Sequence, residues 1–300
     1  MTTETITAAN AGTWQLGDLT VNRIGFGAMR LTGSAAFDLG TPSNRERSIS
    51  VLRRAIDLGV NHIDTAAFYF SATRSANELI NSALAPYPDD LVITTKVGPG
   101  RDPSGEWLHA GPAQLRGQVE ENLRQLGRDH LDVVNLRIVG TDSIAERFGA
   151  LADLCEAGLI RHLGLSNVVL AQLAEAQAIA PVVCVQNQYG IGSRVGEKGE
   201  AVLRACGEHG IAFVPFYAIA GAGREAGAAA TADDAVLAVA RAHDASPAQI
   251  RLAWTLQRGR HVLAIPGTGN PDHLVANVAA GAIRLTEDEV AALDAIRDES

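Results

Sequence analysis

LDVVNLRIVGTDSIAERFGALADLCEAGLIRHLGLS, residues 131–166, holds the reading on which the fold turns. Val133–Arg137 and His162–Leu165 are short, β-rich apolar runs and read as strands. Between them Ile144, Phe148, Leu151 and Cys155 recur at helical spacing, and Gly158 ends the pattern. Strand, helix and strand in this order make a parallel pair, because parallel neighbours need a crossover connection. Both strands also finish on polar groups: Arg137 closes the first, and Ser166-Asn167 follows the second.

The same unit recurs in both directions. Strands are expected at Ile24–Gly27, Asn61–Asp64, Val92–Lys96, Cys184–Asn187, Ala212–Phe216 and Val262–Ile265, which with the first two makes eight. A hairpin over Trp14–Val21 precedes them. Helix signals fill the gaps. Ser43 and Glu46 form a capping-box pattern, with Ile49, Leu52 and Ile56 on one face and Gly59 at the end. Pro112 opens a helix whose stripe is Leu115, Val119, Leu123 and Leu126. Asn167 is placed to cap the next, Ser246-Pro247 and Pro271 open two more, and Thr286 with Glu289 caps the last.

Eight strands alternating with helices predict an α/β chain folded as a closed (β/α)8 TIM barrel with an N-terminal β-hairpin. An open dinucleotide-binding sheet is disfavoured, because GFGAMR after the first strand lacks the Gly-x-Gly-x-x-Gly fingerprint. One domain over residues 1–300 is expected, with 1–12 as a flexible start.

Bulk properties narrow the function. Hydrophobic residues are 47% of the chain, enough for one large core, and the net charge of −9 argues against nucleic acid. The first ten residues lack the basic and apolar regions of a signal peptide, and no run approaches membrane-spanning length. Cys155, Cys184 and Cys206 have no metal-like spacing and read as buried thiols in a reducing compartment, so a cytoplasmic address is expected. His62, His130 and His162 are scattered, giving no metal site, and no Gly-x-Ser-x-Gly is present.

Polar residues gather where strands end, the face on which barrels build their sites. Asp64 closes the second strand, Tyr69 follows five residues later, and Lys96 closes the third. Arg137, Ser166-Asn167, Gln186-Asn187 and Phe216-Tyr217 end the next four. Each has an ordinary reading: Asp64 as a helix or turn cap, Tyr69 as a half-buried aromatic, Lys96 as a snorkelling chain, and Arg137 as an ion-pair partner of Asp64. Together they read as one site. A Lys ammonium beside a phenol lowers the phenol's pKa toward neutrality, and the carboxylate holds the Lys. Such a phenol suits proton donation to a carbonyl oxygen as a hydride reaches the carbon. Three long loops, Arg30–Gly40, Gly98–Gly111 and Ala218–Ala230, leave the same face and offer Met29, Phe37, Trp107 and Arg224 as pocket walls.

GFGAMRL, HIDTAAFY, VITTKVG, DVVNLR, IRHLGLSN, VQNQY, FVPFY and IPGTGN follow one another in an order that resembles the aldo-keto reductase superfamily over nearly the whole chain. DVVNLR and IPGTGNPDHL look most like its bacterial pyridoxal reductases. The resemblance implies reduction of an aldehyde or ketone with NADPH, NADH being the alternative cofactor, and pyridoxal to pyridoxine as the sharpest substrate. A ketoreductase acting on a sugar or natural-product intermediate, and an idle NADPH-binding regulatory barrel, are the rival readings. It makes Asp64, Tyr69 and Lys96 three members of the catalytic tetrad. Ser166, Asn167 and Gln186 match the residues that hold the nicotinamide carboxamide, and Phe216, or its neighbour Tyr217, the aromatic stacked on that ring. Gly267, Thr268, Gly269, Asn270, His273 and Asn277 match the segment for the adenosine phosphates. Gly27, Ala28 and Met29 match a loop near cofactor and substrate. No metal, membrane or nucleic-acid partner is implied.

Two positions depart from the pattern. Arg137 stands where the tetrad usually has His; it stays charged, so it is expected to hydrogen-bond a carbonyl or anionic substituent and to depress the Tyr69 pKa. Gly267 and His273 stand where Lys and Arg commonly meet the 2′-phosphate, leaving backbone N–H groups near Pro271 for that role.

Overall fold

A computed structural model describes residues 6–34, 41–101, 106–191, 196–219 and 233–298. Its strands are β1 (Thr13–Leu16), β2 (Leu19–Asn22), β3 (Phe26–Gly27), β4 (His62–Asp64), β5 (Phe70–Ser71), β6 (Arg74–Ser75), β7 (Val92–Val97), β8 (Pro99–Arg101), β9 (Trp107–His109), β10 (Leu131–Arg137), β11 (Ile160–Ser166), β12 (Val182–Gln186) and β13 (Ala212–Phe213). The helices are α1 (Arg45–Asp57), α2 (Ala76–Leu84), α3 (Pro112–Leu126), α4 (Ala145–Glu156), α5 (Leu170–Gln177), α6 (Gly196–Glu208), α7 (Asp234–Ala242), α8 (Pro247–Gln257), α9 (Pro271–Ala279) and α10 (Glu287–Asp298).

Seven parallel strands run in the order β13-β12-β11-β10-β7-β4-β3. The eighth expected stave, residues 262–265, closes the ring through parallel bridges from Val262 to Phe213 and from Ala264 to Ile24. The barrel is therefore the one the sequence predicts. Two apolar layers hold it. Outward side chains such as Ile63, Ile93, Val134 and Leu136 pack under Leu52, Leu115, Phe148 and the other helical stripes. The lower lumen is filled by Val92, Val133, Ala212 and Leu263, and the β1–β2 hairpin plugs it with Leu16 and Val21.

Caps explain several boundaries. Pro112 and Pro247 stand at the first turns of α3 and α8, and Ser246 makes a reciprocal capping box with Gln249. Thr286 and Glu289 make the predicted exchange before α10. Other expectations are corrected. Asn44, rather than Ser43, caps α1 by accepting from the Arg47 N–H. Asn167 does not cap α5, whose N-cap is Val169; its own backbone has φ 62° and its amide donates to the Ile138 carbonyl. Of the expected flexible start, residues 1–5 lie outside the described residues, while Ala8–Ala11 form a 3-10 turn with Ala8 and Ala11 buried, tied by the Ala8 N–H to the Leu58 carbonyl. The Gly98–Gly111 loop contains the β8–β9 hairpin. Phe37 and Arg224 lie outside the described residues. No helix among the described residues is long and apolar enough to cross a membrane.

Strand alternation sends His62 and Asp64 of β4, Thr94 and Lys96 of β7, and Asn135 and Arg137 of β10 into the lumen. His62 Nε2 lies 3.1 Å from Thr94 Oγ1, and burial pushes its pKa down to about 4 from 6.5. The unfolded chain thus takes up this proton near pH 6.5, whereas the folded chain refuses it until about pH 4, so stability falls as pH drops through that window. The expected contribution is on the order of 3 kcal/mol. Urea midpoints measured from pH 7 to pH 4.5 should decline, and His62→Gln should decline less over the same range.

Candidate active site

The top lumen layer forms the floor of a cavity of about 260 Å³ that opens at the C-terminal ends of the staves. At its centre the Lys96 ammonium donates to both oxygens of Asp64 at 2.7 Å and to the Thr65 carbonyl at 3.0 Å. Gln186 Nε2 donates to Asp64 Oδ1 from across the barrel at 2.9 Å. The two charged side chains are only 2% and 4% exposed, so each depends on the other. Burial pulls the Lys96 pKa down, but the Asp64 carboxylate and Tyr69 more than offset it, holding Lys96 above its ordinary value.

Tyr69 completes the group, with its ring centroid 4.8 Å from Lys96 Nζ and its hydroxyl hydrogen-bonded to that ammonium. The acidity expected from sequence is corrected here. Burial raises the phenol above its ordinary value; Asp64 adds to the rise, and the lowering by Lys96 and Arg137 does not cancel it. Tyr69 is thus a protonated donor flanked by two cations that favour its conjugate base.

Arg137 does not pair with Asp64. Its Nη1 donates to Ser166 Oγ at 3.1 Å, and its guanidinium lies 5.0 Å from the Phe216 ring centroid. It lines the cavity beside Tyr69 and remains partly exposed. The arrangement puts a proton donor and a fixed cation on one pocket, as reduction of a polarised C=O requires.

The aldo/keto reductase family model matches residues 23–298. Pyridoxine 4-dehydrogenase of Escherichia coli is 44% identical over 298 residues, covering 97% of this chain and 100% of that protein. The chain belongs to the aldo/keto reductase family. It is an oxidoreductase. An uncharacterised oxidoreductase of Schizosaccharomyces pombe is 40% identical, over 96% of this chain and 91% of its own length. An aldo-keto reductase from Klebsiella pneumoniae, solved with NADPH, superposes with a TM-score of 0.75 at 29% identity, covering 93% of this chain and 92% of that one.

Of the residues singled out by sequence, the reductase brings Gly27, Met29, Asp64, Tyr69, Lys96, Trp107, Arg137, Gln186, Phe216 and Gly267 to the cavity wall. Gly27 and Gly267 sit where first and last staves touch: a Cβ on Gly267 would come within 2.5 Å of the Gly27 carbonyl, and one on Gly27 equally close to the Ile265 carbonyl. Only glycine permits that approach. Ser166 is buried beneath Arg137, whereas Asn167 is exposed and occupied with Ile138. Thr268, Gly269 and Asn270 lead away from the cavity into α9, where Asn270 is the N-cap, His273 is exposed and Asn277 is buried. Phe216 and Tyr217 both line the wall, their rings perpendicular at 4.9 Å.

Phe68 and Val139 were not foreseen. Phe68 packs edge-on against Tyr69 at 5.3 Å and Trp107 at 6.5 Å, and Val139 is an exposed apolar residue at the cavity rim. The aromatic run AAFYF held a signal for Phe68, whereas nothing local marked Val139.

Removing one member of a buried ion pair leaves the other charge unpaired, at a cost of about 3–5 kcal/mol. Lys96→Met should therefore lower urea-unfolding stability by about that amount at neutral pH. The double variant Asp64→Asn/Lys96→Met should recover part of it, and a loss below about 1 kcal/mol in the single variant would contradict the coupling.

Proposed function

We propose that this reductase converts pyridoxal, or an aldehyde of closely similar shape, to its alcohol with NADPH, and that Asp64, Tyr69, Lys96 and Arg137 carry the reaction. The observation behind it is the convergence of these four side chains on one cavity, in a chain 44% identical to pyridoxine 4-dehydrogenase.

The residues fit a nicotinamide dinucleotide. The glycine contact between Gly27 and Gly267 leaves room for a flat ring against bare backbone, with Gln186 and Phe216 on the wall. Thr268 and Asn270 lead toward the N-terminus of α9, whose dipole favours a phosphate. When bound, NADPH supplies the hydride. Tyr69 gives its hydroxyl proton to the carbonyl oxygen, and Lys96 stabilises the phenolate left behind. Asp64 holds Lys96 in place. Arg137 donates to the carbonyl oxygen or to the ring hydroxylate of pyridoxal, countering negative charge as it develops. Phe68, Trp107 and Val139 supply an apolar surround that excludes water from the reacting carbon.

A cytoplasmic address fits the thiols. Cys155, Cys184 and Cys206 are unpaired, and burial pushes them up to about 11, 12 and 12.

Purified protein with pyridoxal should oxidise NADPH, with a higher kcat/KM than for NADH. Tyr69→Phe should lower kcat by about 10²–10⁴-fold while NADPH fluorescence titration returns an unchanged Kd. Retained turnover in that variant would remove Tyr69 from the role. Loss of one charge-assisted hydrogen bond predicts that Arg137→Leu lowers kcat/KM for pyridoxal roughly 10- to 100-fold. The effect should be smaller for benzaldehyde, which has no ring hydroxyl, and equal effects on both would disprove the anion-recognition role.

A further inference from the structure

Behind the Asp64–Lys96 pair, on the outer face of the barrel, lies a second set of buried polar residues. Thr65 and Thr95 each adjoin a member of the pair in sequence, and alternation turns them outward toward α2 and α3. Thr65 Oγ1 donates to Asn77 Oδ1 at 2.8 Å, and Thr95 Oγ1 donates to Asn122 Oδ1 at 2.6 Å. Asn77 Nδ2 closes the link by donating to Asn122 Oδ1 at 2.9 Å and to Gln125 Oε1 at 3.0 Å. Asn122 Nδ2 donates to the Gln118 carbonyl at 2.8 Å. Thr65, Thr95, Asn77 and Asn122 are all 0% exposed.

Polar groups buried in an otherwise apolar helix–sheet layer are costly unless every one is satisfied. Here each amide uses its oxygen and its nitrogen, which fixes both asparagines in one orientation. The network also ends on the pair itself, because the Thr65 carbonyl is the third acceptor of the Lys96 ammonium. One helical turn before Asn122, Gln118 grips the base of the β8–β9 hairpin. Its Oε1 accepts from the Gly98 N–H at 2.7 Å, and its Nε2 donates to the Gly98 and Pro99 carbonyls at 3.3 and 3.2 Å. That hairpin carries Trp107 to the cavity.

We propose that Asn77 and Asn122 are positioning residues that set the Asp64–Lys96 geometry through Thr65 and Thr95, while Gln118 on the same helix seats the substrate-facing hairpin. A single stripe of α3 thus serves two parts of the site, and the two are separable. Shifting the β4 or β7 stave moves Lys96 relative to Tyr69 and weakens its hold on the phenolate. Moving the hairpin changes the cavity wall alone.

The test uses an aldehyde that the wild-type protein reduces with NADPH. Thr65→Val and Thr95→Val keep side-chain volume and remove only the hydroxyl. Each should lower kcat about tenfold with KM changed less than about twofold, since catalysis is sensitive to small misplacements. Each should also move the Tyr69 limb of the kcat–pH profile to higher pH, and Thr95→Ser should restore both. Gln118→Leu should raise KM severalfold and leave that limb in place. Threonine variants with wild-type kcat and pH profile overturn the proposal, whatever happens to their Tm, as does a Gln118→Leu profile that shifts like theirs. The inference rests on the carbonyl-reductase reading: an inactive wild type sinks both, whereas unaltered variants of an active wild type sink this one alone.

Discussion

The Asp64–Lys96 pair is the constraint around which the upper barrel is organised. An ammonium and a carboxylate almost out of reach of water are tolerable only when each satisfies the other with good geometry. That requirement explains what surrounds them. Gln186 reaches across from β12 to one carboxylate oxygen, and the Thr65 carbonyl takes a further Lys96 proton. The pair comes from adjacent staves, so the local register of β4 against β7 is set from inside the lumen as well as by the sheet ladder.

Below this layer the lumen becomes neutral and then apolar. His62, Thr94 and Asn135 lie two residues beneath Asp64, Lys96 and Arg137 on the same strands, and Cys184 donates its S–H to Asn135 at 3.1 Å. Valines and the hairpin plug follow. Such a gradient leaves one open end among the described residues, and there the charged residues line the cavity. Burial that makes the ion pair strong also holds the Tyr69 proton in place, so the donor is protonated and neutral before substrate arrives.

Much of the fold was legible because its determinants are local. Period-two and helical patterns, with the prolines and serines at helix starts, placed the staves to within a few residues. Asp64, Lys96 and Arg137 were recognisable because each lies at the end of a strand or one residue short of it, as Lys96 does before Val97, and strand ends share one face of a barrel. The misjudged features depend on distant partners. Asn44 displaced Ser43 as a cap, and Ala8–Ala11 packs because a carbonyl at Leu58 receives it. The ordinary reading of Arg137 paired it with Asp64; the barrel instead sets it over Phe216 and against Ser166.

The sequence by itself determined the barrel, the stave order and the residues that end each stave, since alternation and capping act over a few neighbours. Only the tertiary structure decided the acidity of Tyr69, the partners of Arg137 and the threonine–asparagine clasp behind the ion pair. Those properties are set by burial and by partners distant in sequence, 27 residues apart for Thr95 with Asn122 and 45 for Asn77 with Asn122. Desolvation and hydrogen bonds over such separations have no signature in local pattern.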